Sequence, residues 1–248
     1  MKTFVGKGLV GTLACGFALA FALVPTARVG GSPLTSLADA LHAKGIDLSR
    51  PSLLAALRNS DPAVRGLAAN KLAENQDAEA LPAIKEALSV EKDPRARINF
   101  GLALWTLQDP DGLTVLHGMC ADPSFSIDTI VAVVQELFLI HESSDACVKP
   151  VLTFLDAHHD SESRARSLTA LPDLYPWATP VQAERILRML LGMLSDRDPY
   201  VRMQTAQSLV QIGLSSSAGP IRAQMLRETD PNIRDSLQTA LDMLARKQ

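Results

Sequence analysis

The residue types best suited to metal binding stand together at positions 158 to 162, which read His-His-Asp-Ser-Glu. Imidazole and carboxylate groups are common zinc ligands. Adjacent histidines in a turn point in different directions, however, and no other His or Cys pair in the sequence is placed to complete a tetrahedral site. We therefore expect a solvated turn at this position, with a metal site as the alternative.

Residues that could carry catalysis are isolated from one another. His117 stands alone, His141 has only Glu142 beside it, and the sequence contains no recognisable Ser, His, Asp set or Gly-rich phosphate loop. Nothing in this pattern indicates a reaction. The sequence therefore predicts no catalytic residue, no cofactor or metal site, and a protein that is not an enzyme.

A pattern of Asp, Pro and Arg recurs along the chain. Asp-Pro with an Arg at the fourth position after the Asp occurs at 61–65, 93–97, 198–202 and 230–234, and weaker copies begin at Asp122 and Asp160. Asp is a preferred N-cap residue, and Pro suits the first position of a helix. Each copy therefore predicts the start of a helix.

The residues that follow each Asp predict a packing face. The third, seventh, eighth and eleventh positions after the Asp fall on one side of a helix, and in the first copy they carry Val64, Ala68, Ala69 and Leu72. Another helical stretch precedes most of the aspartates, and before the fifth copy Thr179 opens it with the spacing of a capping box. The six aspartates stand at positions 61, 93, 122, 160, 198 and 230, and these intervals are typical of a solenoid of helix-turn-helix units.

The motif Asp-Pro-x-Val-Arg-x-x-Ala-Ala-x-x-Leu at positions 61 to 72 resembles the second helix of bacterial HEAT repeats. The resemblance runs from Leu48 to Leu244, and the short units are similar to repeats of the phycobilisome-lyase type. It implies an all-α, right-handed α-solenoid of about six HEAT-like repeats. It also implies a ladder between successive second helices, formed by the motif residues Asp61, Asp93, Asp198 and Asp230 with Arg65, Arg97, Arg202 and Arg234. Because Ser126 replaces the third Arg, this ladder should be weakest in the middle of the array.

The N-terminal residues resemble an export signal. Lys2 and Lys7 precede an apolar run from Leu9 to Val24 that contains no charge. We interpret residues 1–27 as a signal peptide or, if uncleaved, an N-terminal membrane anchor. Residues 28–47 would then be a linker and a capping helix that ends at Gly45, and residues 48–248 the solenoid. The expected location is periplasmic or secreted, with inner-membrane anchoring as the alternative.

The charge balance argues against polyanionic partners. Removing residues 1–27 takes away two lysines and no acid, which leaves 22 basic and 27 acidic residues and a formal charge of −5. A mildly acidic chain lacks the basic face that nucleic acid or an anionic membrane requires. We expect no nucleic-acid partner, membrane contact only through an uncleaved N-terminal segment, and a monomer.

Two cysteines, Cys120 and Cys147, follow the N-terminal segment, and export would make them candidates for a disulfide. On the repeat pattern, Cys120 ends one first helix and Cys147 begins the next. Parallel helices in register would hold the two residues roughly 16 Å apart, whereas bridged Cα atoms lie within roughly 7 Å. The sequence therefore predicts that these cysteines do not pair.

Aromatic residues between the fourth and fifth copies form a loop, Tyr175-Pro176-Trp177. The loop can cover the seam where the repeat length changes, or it can anchor a binding partner. Trp105, at the twelfth position after Asp93, is expected to pack within the array.

The sixth, ninth and thirteenth positions after each Asp lie opposite the packing face and should line the concave side. They carry mostly amide and hydroxyl groups, which supply both donors and acceptors for an extended peptide or a protein surface. The central repeats should contribute most, through Asn99, Leu102, Asp128, Arg166, Gln204 and Gln207.

The sequence thus favours a non-enzymatic scaffold in the bacterial envelope that binds a protein or peptide on this concave face. The alternative is a lyase-like or chromophore-handling enzyme accessory factor, which depends only on analogy at the level of the fold.

Overall fold

The structure is a computed structural model that describes residues 36 to 246. This part of the chain forms 14 α-helices and three short 3₁₀ helices, and it contains no β-strand. The prediction of an all-α fold is therefore confirmed. The α-helices are α1 (Leu37–Ala43), α2 (Arg50–Ala56), α3 (Pro62–Glu74), α4 (Leu81–Val90), α5 (Pro94–Thr106), α6 (Asp111–Ala121), α7 (Ile127–Leu139), α8 (Asp145–Ala157), α9 (Ser161–Leu168), α10 (Leu171–Leu174), α11 (Pro180–Met193), α12 (Pro199–Ile212), α13 (Ala218–Arg227) and α14 (Pro231–Arg246).

The predicted signal segment, residues 1–27, and the linker as far as residue 35 lie outside the described residues. Within residues 36 to 246, no helix has both the length and the apolar character needed to cross a membrane.

The helices pair into six repeats, each with a first and a second helix. The pairs are α2 with α3, α4 with α5, α6 with α7, α8 with α9 and α10, α11 with α12, and α13 with α14. Each second helix contacts the second helix of the next repeat, which makes the array a helical solenoid. The predicted capping helix is present as α1, which packs on α3, and Gly45 follows it in the left-handed region with φ of 74°. We refer to repeats one, two, five and six as the end repeats and to repeats three and four as the middle repeats.

Aspartate N-caps open most of the second helices, as predicted. The carboxylate of Asp61 accepts a hydrogen bond from the backbone N–H of Ala63 at 2.9 Å, and Asp198 accepts one from Tyr200 at 2.8 Å. Asp93 and Asp160 make the equivalent bonds. The capping box at Thr179 is also confirmed, because its side chain and that of Gln182 bond each other's backbone N–H groups. These caps satisfy amide groups that a helix N-terminus otherwise leaves unpaired.

Small residues allow the second helices of repeats one and two to approach closely. A Cβ atom added at Gly66 would lie 2.5 Å from the side-chain amide nitrogen of Asn99 on the next second helix. Ala68 and Ala69 beside it are fully buried. Gly66, at the fifth position after Asp61, therefore allows the close approach of α3 to α5, and the two alanines predicted for the packing face are buried beside it.

The apolar core forms two clusters along the array. One extends from Leu41 to Leu104 and fills the first two repeats, and the other extends from Ile98 to Leu244. Val115 on α6 packs against both, so the core is continuous where the end repeats meet the middle repeats.

The third second helix begins at a later residue than the sequence pattern predicts. Its N-cap is Ser126, whereas Asp122 is the C-cap residue of α6. The seventh, eighth and eleventh positions after Ser126 are Val133, Val134 and Leu137, all of which are completely buried. Burial of three large apolar side chains outweighs an Asp-Pro helix start, because each contributes about 1.5–3 kcal/mol.

The second helix of repeat four is broken between α9 and α10. Pro172 lacks the N–H group that would bond the carbonyl of Leu168 one turn earlier. The hydroxyl of Ser208 on α12 lies 3.5 Å from that carbonyl and donates to it. The next repeat therefore satisfies a carbonyl group that the break leaves unpaired.

The prediction that Cys120 and Cys147 do not pair is wrong. They form a disulfide, with their Cα atoms 4.9 Å apart. The prediction assumed that α6 and α8 lie in register, but the last turns of α6 lie beside the start of α8. His117 Nε2 on α6 is also within 2.7 Å of the carbonyl oxygen of Ser143, just before α8. The axial displacement between these helices brings the two cysteines together.

Candidate interaction surface

The surface opposite the packing face is formed by four positions counted from each N-cap: the second, sixth, ninth and thirteenth. These positions follow one line along a helix, because steps of three and four residues stay on one face. We call the set on all six second helices the polar face. Because α7 begins later than predicted, it contributes different residues to this face. Counted from Ser126, Asp128 is at the second position, and the sixth, ninth and thirteenth are Ala132, Gln135 and Leu139. Val131, which the sequence pattern placed on this face, is buried instead.

Two of the predicted binding residues lie on α5. Asn99 is half-buried, and its side-chain oxygen accepts a hydrogen bond from Asn70 of the preceding second helix at 3.0 Å. Leu102 is half-buried and packs against the larger core cluster. Both residues lie on the polar face, but each already has contacts within the array.

The structure brings Asp128 and Arg166 together. Arg166 Nη1 lies 3.5 Å from a carboxylate oxygen of Asp128, and Nη2 lies 3.1 Å from Glu162 one turn away. All three side chains are exposed, so solvent weakens these pairs. The two predicted residues therefore form a neutral, accessible pair between α7 and α9.

The predicted residues on α12 have no partners of their own. Gln204 is half-buried and Gln207 is exposed, and neither side-chain amide makes a hydrogen bond within residues 36 to 246. Tyr200 precedes them on the same line and is 51% exposed. Here the polar face presents free donors and acceptors beside an aromatic ring.

Other residues of the polar face link neighbouring second helices. Gln135 on α7 lies 3.5 Å from the hydroxyl of Thr169, and Gln211 on α12 donates to Asp173 at 2.6 Å. Asp173 stands at the thirteenth position after Asp160, which was expected to line the concave side, but it is only 6% exposed. Its burial raises its pKa to about 6, although the hydrogen bond from Gln211 acts in the opposite direction. A carboxyl group in this position resists ionisation.

The aromatic loop forms a 3₁₀ helix, Tyr175–Trp177. Tyr175 packs against the larger core cluster, whereas Trp177 is 41% exposed. The loop therefore covers part of the core and also presents one indole ring to solvent. The other tryptophan, Trp105, is half-buried and donates from Nε1 to Glu142 at 3.0 Å.

An ion-pair ladder runs beside the polar face, but its acidic partners differ from those that the family resemblance implies. Arg65 Nε and Nη2 bind the two carboxylate oxygens of Glu91 at 2.6 and 2.7 Å. Arg202 binds Glu228 in the same way, both distances being 2.7 Å. The acid of each pair stands two positions before the N-cap aspartate of the next repeat. The aspartates themselves cap helices, so the predicted Asp–Arg ladder is wrong in its acidic partner.

The acidic partners are buried. The side chains of Glu91 and Glu228 are each 1% exposed, and Glu228 also accepts from the backbone N–H of Thr229. The hydrogen bonds from Arg202 lower the pKa of Glu228 to about 2. Asp196 completes a third rung with Arg164 at 2.5 Å. The sequence carries a signal for these rungs that the Asp-Pro-Arg pattern does not include, namely an acid two positions before the repeat aspartate at 91, 196 and 228.

The ladder is interrupted in the middle, where the sequence predicts it to be weakest. Arg97 Nη1 bonds the carbonyl of Glu91 at 3.0 Å, but its Nε is buried and has no partner among the described atoms. The next acid along, Asp122, is exposed and instead accepts from the backbone N–H of Ser124 at 2.8 Å. The rung between repeats two and three is therefore open.

The histidine-rich turn contains no complete metal site in the part of the chain described. No group of three or more His, Cys, Asp or Glu side chains is arranged to hold an ion between residues 36 and 246. His158 Nδ1 donates to the carbonyl of Phe154 at 2.9 Å, and its ring stacks on that phenylalanine. Asp160 caps α9.

Comparison with known proteins gives one family match. A family model described as HEAT repeats matches residues 50–135 and 148–242. No curated protein matches the chain in sequence.

Several solved structures are similar in fold. An engineered protein is 21% identical over 79% of this chain and 96% of its own, with a TM-score of 0.40. A second engineered protein is 17% identical over 81% of this chain and 99% of its own, with a TM-score of 0.43. Human deoxyhypusine hydroxylase in complex with glycerol is 18% identical over 79% of this chain and 73% of its own, with a TM-score of 0.38.

Proposed function

The chain belongs to the HEAT-repeat family, and from this membership we propose that it is a non-enzymatic scaffold of the bacterial envelope. In this proposal it binds a protein or peptide partner on the polar face of its second helices. The observation that carries the proposal is the pair of unpartnered amides, Gln204 and Gln207, beside the exposed ring of Tyr200.

The chemistry of the polar face supports a polypeptide partner. An amide side chain offers both a donor and an acceptor, the same groups that a peptide backbone presents. The charged residues near the centre, Asp128, Glu162 and Arg166, already pair with one another. A phosphate-rich ligand would find little free positive charge there.

The disulfide supports the proposed location. Disulfides persist in oxidising compartments and are rare in the cytosol. The bond between Cys120 and Cys147 agrees with export directed by residues 1–27. It also removes both described cysteines as free thiols, which weakens the alternative of an accessory factor for chromophore attachment.

Position-specific crosslinking tests the binding face. The full chain, produced in its own host, would carry the photoreactive residue p-benzoylphenylalanine at Gln207 or, as a control, at exposed Arg188 on the first helix α11. We expect one protein adduct from position 207 and none of the same mass from position 188. Equal crosslinking at both positions, or crosslinking only at position 188, would contradict the proposed face.

Fractionation tests the proposed location. We expect the chain in the envelope fraction, with Cys120 and Cys147 protected from alkylation until a reductant is added. A cytosolic chain with both thiols reactive would contradict export while leaving the polar face to be judged by the crosslinks.

A further inference from the structure

A groove lies between repeats three and four at the place where the end repeats hold an ion-pair rung. Ile130 stands at the fourth position after the Ser126 N-cap, the position of Arg65 and Arg202 in their repeats. His158 is the C-cap residue of α8, as Glu228 is of α13. With an apolar side chain in place of the arginine, no ion-pair rung can form between these elements, and their facing surfaces are left without paired charges.

The groove is mostly apolar and has the volume of a small-molecule site. It has a volume of about 600 Å³, and ligand pockets range from about 300 to 1,000 Å³. The corresponding clefts between repeats one and two, about 330 Å³, and between repeats four and five, about 580 Å³, are lined by the paired charges of their rungs. The apolar residues that line the larger groove include Phe125, Ile127, Ile130, Pro150, Phe154 and Ala157.

One cation beside this apolar surface is uncompensated. Lys149 on α8 is exposed and makes no ion pair with any residue from 36 to 246. Asp122, which also lines the groove, accepts from the backbone N–H of Ser124. Asp145, one turn before Lys149 on α8, accepts from the hydroxyl of Ser143 and the backbone N–H of Ala146. His158 donates from Nδ1 to a carbonyl, which leaves its Nε2 free. A ligand with a negative end would therefore find its complement at Lys149.

We propose that this groove binds an amphipathic organic carboxylate, such as a medium-chain fatty acid or an arylalkyl acid. The carboxylate pairs with Lys149, and the apolar part lies along Phe125, Ile130 and Phe154. A protein partner fits less well, because a stable protein interface needs a contiguous patch of about 800 Å² on each side. The apolar surface of this groove is interrupted by exposed polar residues, Asp122, Lys149 and Thr153.

Titration with a fluorescent carboxylate tests the site. The probe is 11-(dansylamino)undecanoate, added below its micelle concentration to the purified chain. We expect saturable binding of one equivalent, displacement by dodecanoate, and no displacement by dodecyltrimethylammonium. Lys149→Glu should weaken probe binding about tenfold, since it replaces an attractive charge by a repulsive one. Absence of saturable binding, or equal displacement by the cationic amphiphile, would overturn the proposal.

A second pair of variants distinguishes this groove from other apolar surface. Ile130→Arg combined with His158→Glu rebuilds the rung of the end repeats inside the groove, so probe binding should disappear while the helical CD spectrum is retained. Should that double variant fail to fold, Ala157→Trp fills the groove from an exposed position and should weaken binding at least tenfold. Leu226→Glu, at an exposed leucine of α13, is the matched control and should bind normally. Unchanged affinity in Ala157→Trp would place the probe elsewhere and refute the site.

Discussion

The end repeats and the middle repeats use different interactions to join one repeat to the next. In the end repeats, a bidentate pair such as Arg65 with Glu91 or Arg202 with Glu228 bridges successive units. No such buried pair joins repeat two to repeat three, where Arg97 lacks a carboxylate partner, or repeat three to repeat four, where a disulfide links α6 to α8. The ladder resumes between repeats four and five with Arg164 and Asp196. The array thus has a disulfide in place of a buried ion pair where α8 is displaced along its axis relative to α6.

Removing one arginine of the end repeats should have the largest effect. Arg202→Met leaves the buried carboxylate of Glu228 without its partner, and breaking a buried pair in this way costs about 3–5 kcal/mol. Arg97→Met, at the open rung between repeats two and three, removes an arginine that pairs with no carboxylate and should cost under about 1 kcal/mol. Urea unfolding followed by far-UV CD measures both. Equal losses would mean that the buried ion pair is not what distinguishes the end repeats.

The next largest effect should come from the disulfide. It closes a loop with a sequence separation of 27 residues, and loop closure of that length is worth about 3.5 kcal/mol. Cys120→Ser with Cys147→Ser should lower stability by about this amount. Hydrogen exchange should locate the loss in α6 to α8, while amides in α3 and α12 keep their protection. A uniform loss of protection along the chain would show that the covalent link is not specific to the middle.

The sequence pattern predicts the end repeats well because local chemistry decides them. Asp61, Asp93 and Asp198 cap their helices as expected, since N-capping depends only on neighbouring backbone groups. The start of α7 depends instead on burying Val134 and its neighbours against other helices, which the local motif does not encode. The disulfide required the axial displacement of α8 from α6, and helix packing alone sets that distance.

The candidate binding residues also divide according to whether their helix begins at the predicted residue. Asn99, Leu102, Gln204 and Gln207 lie on the face that periodicity assigns to them, because their helices begin at the expected residues. Asp128 also lies on the polar face, but at the second position after the N-cap instead of the sixth, because α7 begins at Ser126 and not at Asp122. Whether these residues bind a partner stays a prediction.

The third largest effect should come from Asp173. Its contribution to folding stability should depend on pH in the opposite sense to that of Glu228. Because the folded-state pKa of Asp173 is raised from 3.8 to about 6, stability falls as pH rises through that interval. Glu228 has a lowered pKa of about 2, so its contribution is lost as pH falls from 4.5 towards that value. Asp173→Asn should therefore stabilise the chain at pH 8 by about 2 kcal/mol and have little effect at pH 4.

Denaturation midpoints measured from pH 4 to pH 8 check this sign. Gln211→Glu is an informative companion, because a second carboxylate beside Asp173 should steepen the pH dependence rather than remove it. A wild-type stability that increases between pH 4 and pH 6 in parallel with that of Asp173→Asn would show that Asp173 ionises normally.

The smallest effect is expected from a substitution that rebuilds the missing rung between repeats two and three. Asp122 is the C-cap residue of α6, as Glu91 is of α4. The side chain of Asp122 is one methylene shorter than that of Glu91. Asp122→Glu should let the carboxylate reach Arg97, whose Nε has no partner among the described atoms, and should raise the denaturation midpoint slightly. The gain should shrink in 1 M salt, where charges are screened within about 3 Å. It should also vanish when Arg97 is replaced by Met, so a gain that persists in Asp122→Glu with Arg97→Met would arise from something other than a rebuilt rung.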